Sequence, residues 1–304
     1  MNRRILVTGG AGFIGSAVVD ELLARGDEPH VVDDLSKGQI INLPERVPLQ
    51  VLDIAASPLD KLFSAGHFDA VVHCAAQTNV MRSLADPALD YRINVVGAER
   101  MLHAAAAAGT PRFVFISSGG AAYGETPTPA TETTRPNPDN PYGRHKLEGE
   151  ASVARAALST ISLRLSNVYG ARQRSDGEGG VISIFADRLA AGLPLEIYGD
   201  GEQQRDFIDV SDVVSAILLA IDAPSMTGLW NVGTGDATSV NRVADLMLAA
   251  FGARSVVHYQ PDRPEIRRSC LDVSKLTATG RWAPAVDLPN GIGRLARAMP
   301  ASKR

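Results

Sequence analysis

A glycine-rich segment near the start of the chain restricts the fold more than any other feature. Residues 5–7 are a short apolar run typical of a buried strand, and residues 13–24 carry apolar side chains at helical spacing. Between them, Gly9, Gly12 and Gly15 allow a tight turn, close approach of the backbone to a diphosphate, and close packing of helix on strand. Free N–H groups at the start of that helix favour an anion. The segment therefore predicts the strand–turn–helix unit of a dinucleotide-binding domain.

The next strand indicates which dinucleotide binds. It is predicted over residues 30–33 and ends in Asp33 and Asp34, 18 residues after Gly15 (33 − 15). A carboxylate there accepts the hydroxyls of the adenosine ribose, whereas a 2′-phosphate would cost about 3 kcal/mol per charge pair at an effective dielectric of about 20. The nearest cation is Lys37. The pair therefore predicts NAD rather than NADP; the alternative is a helix-capping or solvated pair of carboxylates.

The order of strands and helices predicts the fold class, which is α/β. Strands that are apolar on both faces alternate with helices in the first half, as in a parallel sheet covered on both sides. We therefore expect a doubly wound parallel (Rossmann) sheet in an NAD-binding domain over residues 1–166. Residues 167–304 are predicted to form mainly a smaller α/β substrate-binding domain, with some segments returning to the sheet. The strands are predicted over residues 5–7, 30–33, 49–52, 70–73, 113–117, 161–165, 195–198, 229–232 and 256–259, and the helices over 13–24, 57–64, 87–108, 141–157, 181–191, 211–221 and 240–251.

Composition excludes several other classes of protein. With 45% hydrophobic and 21% charged residues the chain is typical of a globular protein, and the formal charge of −4 predicts no binding to nucleic acid or to an anionic membrane. The two cysteines are too few for a disulfide framework, so we expect a reducing cytoplasm. We expect neither a signal peptide nor a membrane span, because glycines interrupt the first apolar stretch and no apolar run reaches about 18 residues. The six histidines have no metal-ligand spacing, so no metal is expected.

A second motif predicts proton transfer. Tyr142 and Lys146 stand four positions apart just after Pro141, which favours a helix start, and therefore share one helix face. A neighbouring ammonium makes a phenol a usable acid or base near neutral pH. The loops predicted at 125–141 and 173–180 are either surface connections or lids over a site.

These motifs together resemble a known family, the extended short-chain dehydrogenase/reductases that act as NAD-dependent sugar-nucleotide epimerases and dehydratases. Within it, the chain is most similar to UDP-glucose 4-epimerases. The resemblance runs from about residue 5 to about residue 295. It rests on the segments TGGAGFIGS, VVDDLSKG, HCAAQTNVMRS, SSGGAAYG, PYGRHK, RLSNVYGARQ, GDGEQQRDFIDVSDV and CLDVSK.

The resemblance implies NAD as the cofactor and assigns residues to it. Phe13 and Ile14 would contact the pyrophosphate through the backbone, Asp33 the ribose, and Asp53 and Ile54 the adenine. The full set of expected cofactor-binding residues is Gly9, Gly12, Phe13, Ile14, Gly15, Asp33, Asp34, Leu35, Ser36, Gly38, Asp53, Ile54, Ala75, Ala76, Gln77, Asn94, Ser117, Tyr142 and Lys146.

The resemblance also implies catalytic and substrate residues. Tyr142 would be the acid/base, Lys146 would bind the nicotinamide ribose and tune Tyr142, and Ser118 would assist the proton transfer. Two arginines would neutralise the substrate diphosphate. The expected substrate-binding residues are Thr78, Ser118, Tyr142, Asn167, Tyr198, Arg205, Arg263 and Ser269. The alternative for Arg205 and Arg263 is that each forms an ion pair at the protein surface and does not bind the diphosphate.

The implied reaction is epimerisation at C4 of a nucleoside-diphosphate hexose, of the UDP-glucose/UDP-galactose type, through a transient 4-keto sugar. A UDP-glucuronate 4-epimerase, a deoxysugar 4-ketoreductase and a non-catalytic NAD-bound regulatory protein are the alternatives, and a dTDP carrier stays open. Two departures from the family pattern stand out: Gly119 replaces the usual hydroxyl residue, and no glycine follows Pro264. The family usually forms a homodimer through two long helices, here 87–108 and 141–157.

Overall fold

The computed structural model describes residues 2–175, 180–253, 256–262 and 265–299. The chain divides into two compact units that are interleaved in sequence. The first comprises Met1–Ala122, Pro138–Arg164 and Val214–Trp230, and the second comprises Tyr123–Asn137, Leu165–Val213 and Asn231–Arg304. The boundary predicted at residue 166 and the substrate role of the second part stay predictions.

The first unit is built on a seven-stranded sheet. Its strands are β1 (Arg4–Thr8), β2 (Glu28–Asp33), β3 (Leu49–Val51), β4 (Ala70–His73), β5 (Arg112–Ser118), β6 (Ser159–Leu165) and β10 (Gly228–Val232). Their order across the sheet is β10-β6-β5-β4-β1-β2-β3, and the pairs from β3 to β5 are parallel. Six of these strands follow the 3-2-1-4-5-6 order of the doubly wound dinucleotide-binding fold. The predicted fold class is confirmed.

Helices follow most of these strands. They are α1 (Phe13–Ala24), α2 (Asp60–Gly66), α3 (Val80–Ala85), α4 (Pro87–Tyr91), α5 (Ala98–Ala107), α6 (Gly119–Tyr123) and α7 (Pro141–Ala154). The sheet residues Leu6, Val71 and Phe113 pack with Met101 and Leu102 of α5 in one buried cluster. This core holds the carboxyl ends of β1, β4 and β5, and the segments that follow them, in fixed positions.

The helix predicted over residues 87–108 is not a single regular helix. Between α4 and α5 lies a π-helical turn, Arg92–Gly97. Its buried Asn94 accepts a hydrogen bond from Gln77 N at 3.0 Å and donates one to Gln77 O at 2.8 Å. Gly97 packs closely on Ile54, because a Cβ there would lie 2.9 Å from the Ile54 side chain. A π turn re-aims one side chain within a helix, and such turns are frequent at functional sites.

The second unit contains two smaller sheets. β9 (Gln204–Asp209) pairs with β7 (Asn167–Tyr169), β11 (Ala237–Ser239) and β13 (Arg268–Ser269), while β8 (Leu195–Tyr198) pairs with β12 (Val257–Gln260). The helices of this unit are α8 (Val181–Ala190), α10 (Val240–Phe251), α11 (Ser274–Thr277) and α12 (Leu288–Ala298), whereas α9 (Val210–Asp222) lies mostly in the first unit. Strands β7, β9, β11 and β13 were absent from the sequence prediction because they are short or polar, and pairing rather than pattern makes them strands. Within the loop predicted at 173–180, residues 176–179 lie outside the described residues. In the loop predicted at 125–141, Ala130 forms an isolated β-bridge with Leu271.

Candidate active site

The glycine loop joins β1 to α1. Gly9 adopts φ +67°, and a Cβ there would lie 2.7 Å from Ala75 N, so this position favours glycine. Gly12 precedes α1 and provides no side-chain cap, so the first N–H groups of the helix, those of Phe13 and Ile14, are available to bind an anion. Gly15 packs directly on the turn, since a Cβ there would overlap the Gly9 carbonyl oxygen and lie 2.8 Å from Gly10 Cα.

Substituting Gly15 tests this packing. We expect Gly15→Ala to lower the free energy of unfolding by about 1–3 kcal/mol, the usual range for an overpacked site. NAD affinity should fall by at least about tenfold, because the displaced turn moves the anion-binding N–H groups. Calorimetry measures both quantities. Gly109→Ala is the control for NAD affinity: Gly109 has positive φ, unlike Gly15, so an alanine there strains the backbone, but nothing lies within 4 Å of the added Cβ and NAD affinity should not change. Equal NAD affinity in Gly15→Ala and wild type would contradict the assignment.

The acidic turn after β2 lies over this loop. Asp33 is 7% exposed, and its carboxylate accepts hydrogen bonds from Ala11 N at 3.0 Å and Leu35 N at 2.9 Å. Burial raises the pKa of Asp33, and the two backbone hydrogen bonds oppose that shift. A Cβ at Gly38 would lie 2.6 Å from Asp33 Oδ1, so glycine leaves room for the carboxylate. Asp34 is exposed and binds Ser36 N at 2.9 Å and Ser36 Oγ at 2.6 Å.

A second group of predicted residues follows β3 and β4. Asp53 accepts hydrogen bonds from Ala55 N at 2.8 Å and from Arg92 Nη1 at 2.9 Å. Ile54 beside it is buried. Ala75 N donates to Thr8 Oγ1 at 3.2 Å, which ties the end of β4 to the end of β1. The structure thus brings Ala75 beside Gly9, and two residues further along the chain Gln77 is hydrogen-bonded to Asn94.

Helix α7 carries the predicted acid/base pair. Asn140 caps it by accepting a hydrogen bond from Gly143 N at 2.9 Å, and Pro141 begins it. Tyr142 is half-buried, and its backbone N–H donates to Ser83 Oγ at 3.3 Å. Lys146 is 2% exposed; its Nζ donates to Ile116 O at 2.6 Å and lies 4.3 Å from the centre of the Phe115 ring. Burial lowers the pKa of Lys146 to about 8.

The two serines that end β5 have different partners. Ser117 is buried, and its hydroxyl donates to Glu150 Oε1 at 2.5 Å. Ser118 Oγ accepts a hydrogen bond from Ala121 N at 3.4 Å, at the start of α6. The hydroxyl proton of Ser117 is therefore held by a carboxylate, whereas Ser118 Oγ acts as an acceptor in its described contact.

Sequence reasoning missed a buried hydrogen-bond chain behind α7. Asp90 is fully buried and accepts hydrogen bonds from Gln77 Nε2 at 2.5 Å and from His145 Nδ1 at 2.6 Å. It thereby joins the turn at Gln77 to the helix that carries Tyr142 and Lys146. No motif signalled this contact, because the three residues are far apart in sequence and each is a common surface type.

In the second unit, three predicted substrate residues share one small sheet. Ser269 on β13 pairs with Arg205 on β9, and Asn167 on β7 pairs with Phe207. Residues that pair across parallel strands point to the same side of the sheet, and so do residues two apart on one strand, such as Arg205 and Phe207. Asn167, Arg205 and Ser269 therefore lie on one face of the sheet. Ser269 is 6% exposed.

Arg205 has an internal partner that the sequence did not indicate. Its Nη2 lies 3.4 Å from Glu265 Oε2. Gln203 Nε2 donates to the other Glu265 oxygen at 2.8 Å and to Tyr198 O at 3.1 Å, so Tyr198 is linked to Arg205 through two side chains. Arg263 and Pro264 lie outside the described residues.

The described part of the chain has neither a cluster of metal-ligating side chains nor a membrane-spanning helix. No cluster of three or more His, Cys, Asp or Glu residues there is arranged to hold a metal ion. None of its helices combines the length and apolar character needed to cross a membrane.

The chain belongs to the NAD dependent epimerase/dehydratase family, whose model matches residues 5–233. A putative UDP-glucose 4-epimerase of Methanocaldococcus jannaschii is 39% identical over 306 residues, covering 99% of each chain. The crystal structure of the Thermus thermophilus UDP-glucose 4-epimerase with NAD superposes with a TM-score of 0.92 at 40% identity, covering 97% of this chain and 98% of the other. That of the Thermotoga maritima enzyme with UDP-glucose has a TM-score of 0.91 at 38% identity and covers 97% of both.

Family membership makes NAD the cofactor, and the residues of the first unit fit it. The uncapped start of α1 and the close packing at Gly9 and Gly15 form a cradle that added Cβ atoms would fill. The buried Asp33 carboxylate keeps two acceptor positions beyond its two backbone hydrogen bonds. The predictions of family and cofactor are confirmed.

Proposed function

We propose that the protein is an isomerase that epimerises a UDP-hexose at C4, of the UDP-glucose/UDP-galactose type, through a transient 4-keto sugar. The observation that carries the proposal is the Tyr142–Lys146 pair on α7, with the Lys146 ammonium anchored on the backbone of β5. Near full-length similarity to UDP-glucose 4-epimerases supports it.

The first unit would hold the cofactor. Its pyrophosphate would sit on the start of α1, its adenosine ribose on Asp33, its adenine beside Asp53 and Ile54, and its nicotinamide end beside Ala75, Asn94 and Ser117. Lys146 would bind the nicotinamide ribose. When bound, NAD supplies a hydride acceptor that returns the hydride within the same cycle.

Tyr142 would move the proton of the sugar 4-hydroxyl. Because its pKa is about 8, Lys146 is an ammonium ion at neutral pH, and its positive charge one helical turn from the phenol favours the phenolate form of Tyr142. Tyr142 then accepts the hydroxyl proton during oxidation and gives it back during reduction.

The second unit would hold the nucleotide. Arg205 and Arg263 would neutralise the diphosphate, Asn167 and Tyr198 would contact the sugar nucleotide, and Ser269 would face the sugar. Thr78 and Ser118 are proposed to contact the hexose. The diphosphate anchors the substrate while the sugar presents either face.

The direct test is turnover without added cofactor. Purified protein is incubated with UDP-galactose, and in parallel with dTDP-glucose, and the products are identified by NMR. We expect UDP-galactose to reach equilibrium with UDP-glucose without added NAD, since the cofactor is regenerated in each cycle. Failure with every hexose nucleotide, while NAD is bound, would refute the proposal.

Gly119 occupies the position where the family usually has a hydroxyl residue, and this leads to a prediction about the neighbouring Ser118. If its hydroxyl assists Tyr142, Ser118→Ala should lower kcat by about tenfold or more, within the lower range for proton-transfer groups. Ser117→Ala should cost less, because the Ser117 hydroxyl is directed to Glu150. Steady-state kinetics of both variants tests this. Mild effects in both would show that Tyr142 acts without a serine.

A prediction about substrate range concerns Ser269. The family resemblance implies that Ser269 lies beside the C2 position of the sugar, where a small residue leaves room for an acetamido group that a tyrosine would exclude at about 1–3 kcal/mol of overpacking. We expect UDP-GlcNAc to be epimerised with a kcat/KM within about tenfold of that for UDP-glucose. Ser269→Tyr should abolish the epimerisation of UDP-GlcNAc, whereas the Ser269→Ala control should retain it. Inert UDP-GlcNAc, or an unchanged ratio in Ser269→Tyr, would contradict it.

We also propose that the protein is a cytoplasmic homodimer. The free thiols Cys74 and Cys270 fit a reducing compartment. Exposed apolar side chains on α3 and α4, namely Met81 at 72%, Leu84 at 52% and Tyr91 at 42%, support an association surface that includes the start of the segment predicted as the long helix 87–108. Light scattering across a concentration series measures the mass, and a monomer at micromolar concentration would argue against the dimer.

A further inference from the structure

The carboxylate of Glu150 on α7 accepts three hydrogen bonds in the interior of the first unit. Its side chain is largely buried, and its Oε1 accepts hydrogen bonds from Ser117 Oγ at 2.5 Å and Arg164 Nε at 2.9 Å. Its Oε2 accepts a hydrogen bond from Arg164 Nη2 at 2.6 Å. This arrangement is bidentate and charge-assisted, so it fixes the carboxylate in one position.

Glu150 and Lys146 hold consecutive residues of β5. They stand four positions apart on α7 (150 − 146) and therefore share a helix face. Lys146 Nζ donates to Ile116 O at 2.6 Å, and Glu150 accepts the hydroxyl of the next residue, Ser117. Close packing keeps this register, because a Cβ at Gly149 would lie 2.8 Å from the Phe115 ring.

The groups around the Lys146 ammonium come from four elements. Phe115 and Ile116 lie on β5, Asp90 on α4, and His73 and Cys74 at the end of β4, while Tyr142 and Glu150 share α7 with it. Burial and the charge of Lys146 lower the pKa of His73 to about 3, and burial raises the pKa of Cys74 to about 12, so both are neutral at pH 7. The facing carboxylates are Glu150, whose influence on the pKa of Lys146 is the largest opposing burial, and Asp90.

We infer that Glu150 is a positioning residue for the Tyr142–Lys146 pair: its carboxylate anchors the end of β5 and supplies the opposite charge that keeps Lys146 an ammonium ion. The catalytic consequence rests on the proposed function; the effect of Glu150 on the charge of Lys146 does not. Asp90 is the weaker partner of the ammonium, because it raises the pKa of Lys146 less than Glu150 does.

The first experiment measures the charge of Lys146 directly. The lysines of the chain are only Lys37, Lys61, Lys146, Lys275 and Lys303, so NMR of protein labelled at lysine Cε resolves each, and Lys146→Met assigns the resonance. We expect Glu150→Gln to lower the pKa of Lys146 by about one unit, the lower range for loss of an adjacent opposite charge. Glu148→Gln is the matched control, since Glu148 is an exposed carboxylate on the same helix, and it should leave the pKa unchanged.

The second experiment follows the alkaline limb of kcat/KM. In Glu150→Gln this limb should move to lower pH by about the same one unit, because Lys146 loses its proton earlier. Ser117→Ala keeps the Glu150 charge, so its limb should stay at the wild-type pH. A structural defect alone would lower activity without moving the limb.

Loss of the Glu150 charge leaves Arg164 buried without its carboxylate, which destabilises a fold strongly. Should Glu150→Gln fail to fold, the double variant Glu150→Gln/Arg164→Met removes both charges and is measured in its place. An unchanged pKa of Lys146 in the variant that folds overturns the inference, whatever the enzyme does. A lowered pKa in a protein that turns over no hexose nucleotide refutes the proposed function instead.

Discussion

Replacing Tyr142 with phenylalanine should reduce turnover by at least about 100-fold while the fold and NAD affinity stay intact, because only the phenolic hydroxyl is lost. That hydroxyl is the group proposed to take the proton of the sugar 4-hydroxyl. The ring of phenylalanine fills the same volume, and the Tyr142 backbone N–H, which donates to Ser83 Oγ at 3.3 Å, is retained. Turnover is measured by NMR with UDP-galactose, and NAD affinity by calorimetry.

The matched control is Tyr259→Phe. Tyr259 is 60% exposed, and its hydroxyl donates to Asn241 Oδ1 at 3.0 Å, on the surface of the second unit. Activity close to wild type is expected for this variant. Near-native turnover in Tyr142→Phe would show that another group carries the proton, and the assignment of the acid/base pair would be wrong.

NAD should bind about 100-fold more tightly than NADP, since about 3 kcal/mol of repulsion between a 2′-phosphate and a carboxylate corresponds to that ratio. The turn after β2 presents two carboxylates, the buried Asp33 and the exposed Asp34. Asp33→Ala should weaken NAD binding, because it removes the ribose acceptor and also frees Ala11 N and Leu35 N. Both affinities are measured by titration calorimetry on protein stripped of nucleotide.

Asp34→Ala serves as the comparison for that experiment. It removes one carboxylate that binds only Ser36 among its described contacts, so NAD affinity should change less than in Asp33→Ala. Discrimination against the 2′-phosphate should weaken in both variants. Equal affinity of the wild-type protein for NAD and NADP would contradict the role given to the acidic turn.

The strands and the cofactor loop of the first unit were predictable from sequence. Their signals are local: apolar runs of strand length, a glycine triplet between a strand and a helix, and a carboxylate at the end of the next strand. A parallel strand that is buried on both faces is recognised by its own continuous apolar run, whichever strands it pairs with. The sequence therefore predicted β1, β2, β4 and β5 close to their observed bounds. The family resemblance and the NAD cofactor followed from the same segments and are confirmed, whereas the roles of individual site residues stay predictions.

The second unit was less predictable for a physical reason. A strand such as β13 has two residues and carries no periodicity of its own. Its pairing with β9 places Ser269 next to Arg205, and that contact depends on chain segments more than 60 residues apart (269 − 205). Nothing local marks such a strand before the chain has folded.

The sequence by itself determined the Tyr142–Lys146 spacing, the glycine loop and the acidic turn, because each depends on neighbours within one or two turns of the chain. Only the tertiary structure decided which partner each polar group has. In the folded chain Ser117 is hydrogen-bonded to Glu150, Arg205 is paired with Glu265, and His145 is hydrogen-bonded to Asp90. A buried polar group must be satisfied by whichever partner packing brings near it, and packing is a property of the whole fold.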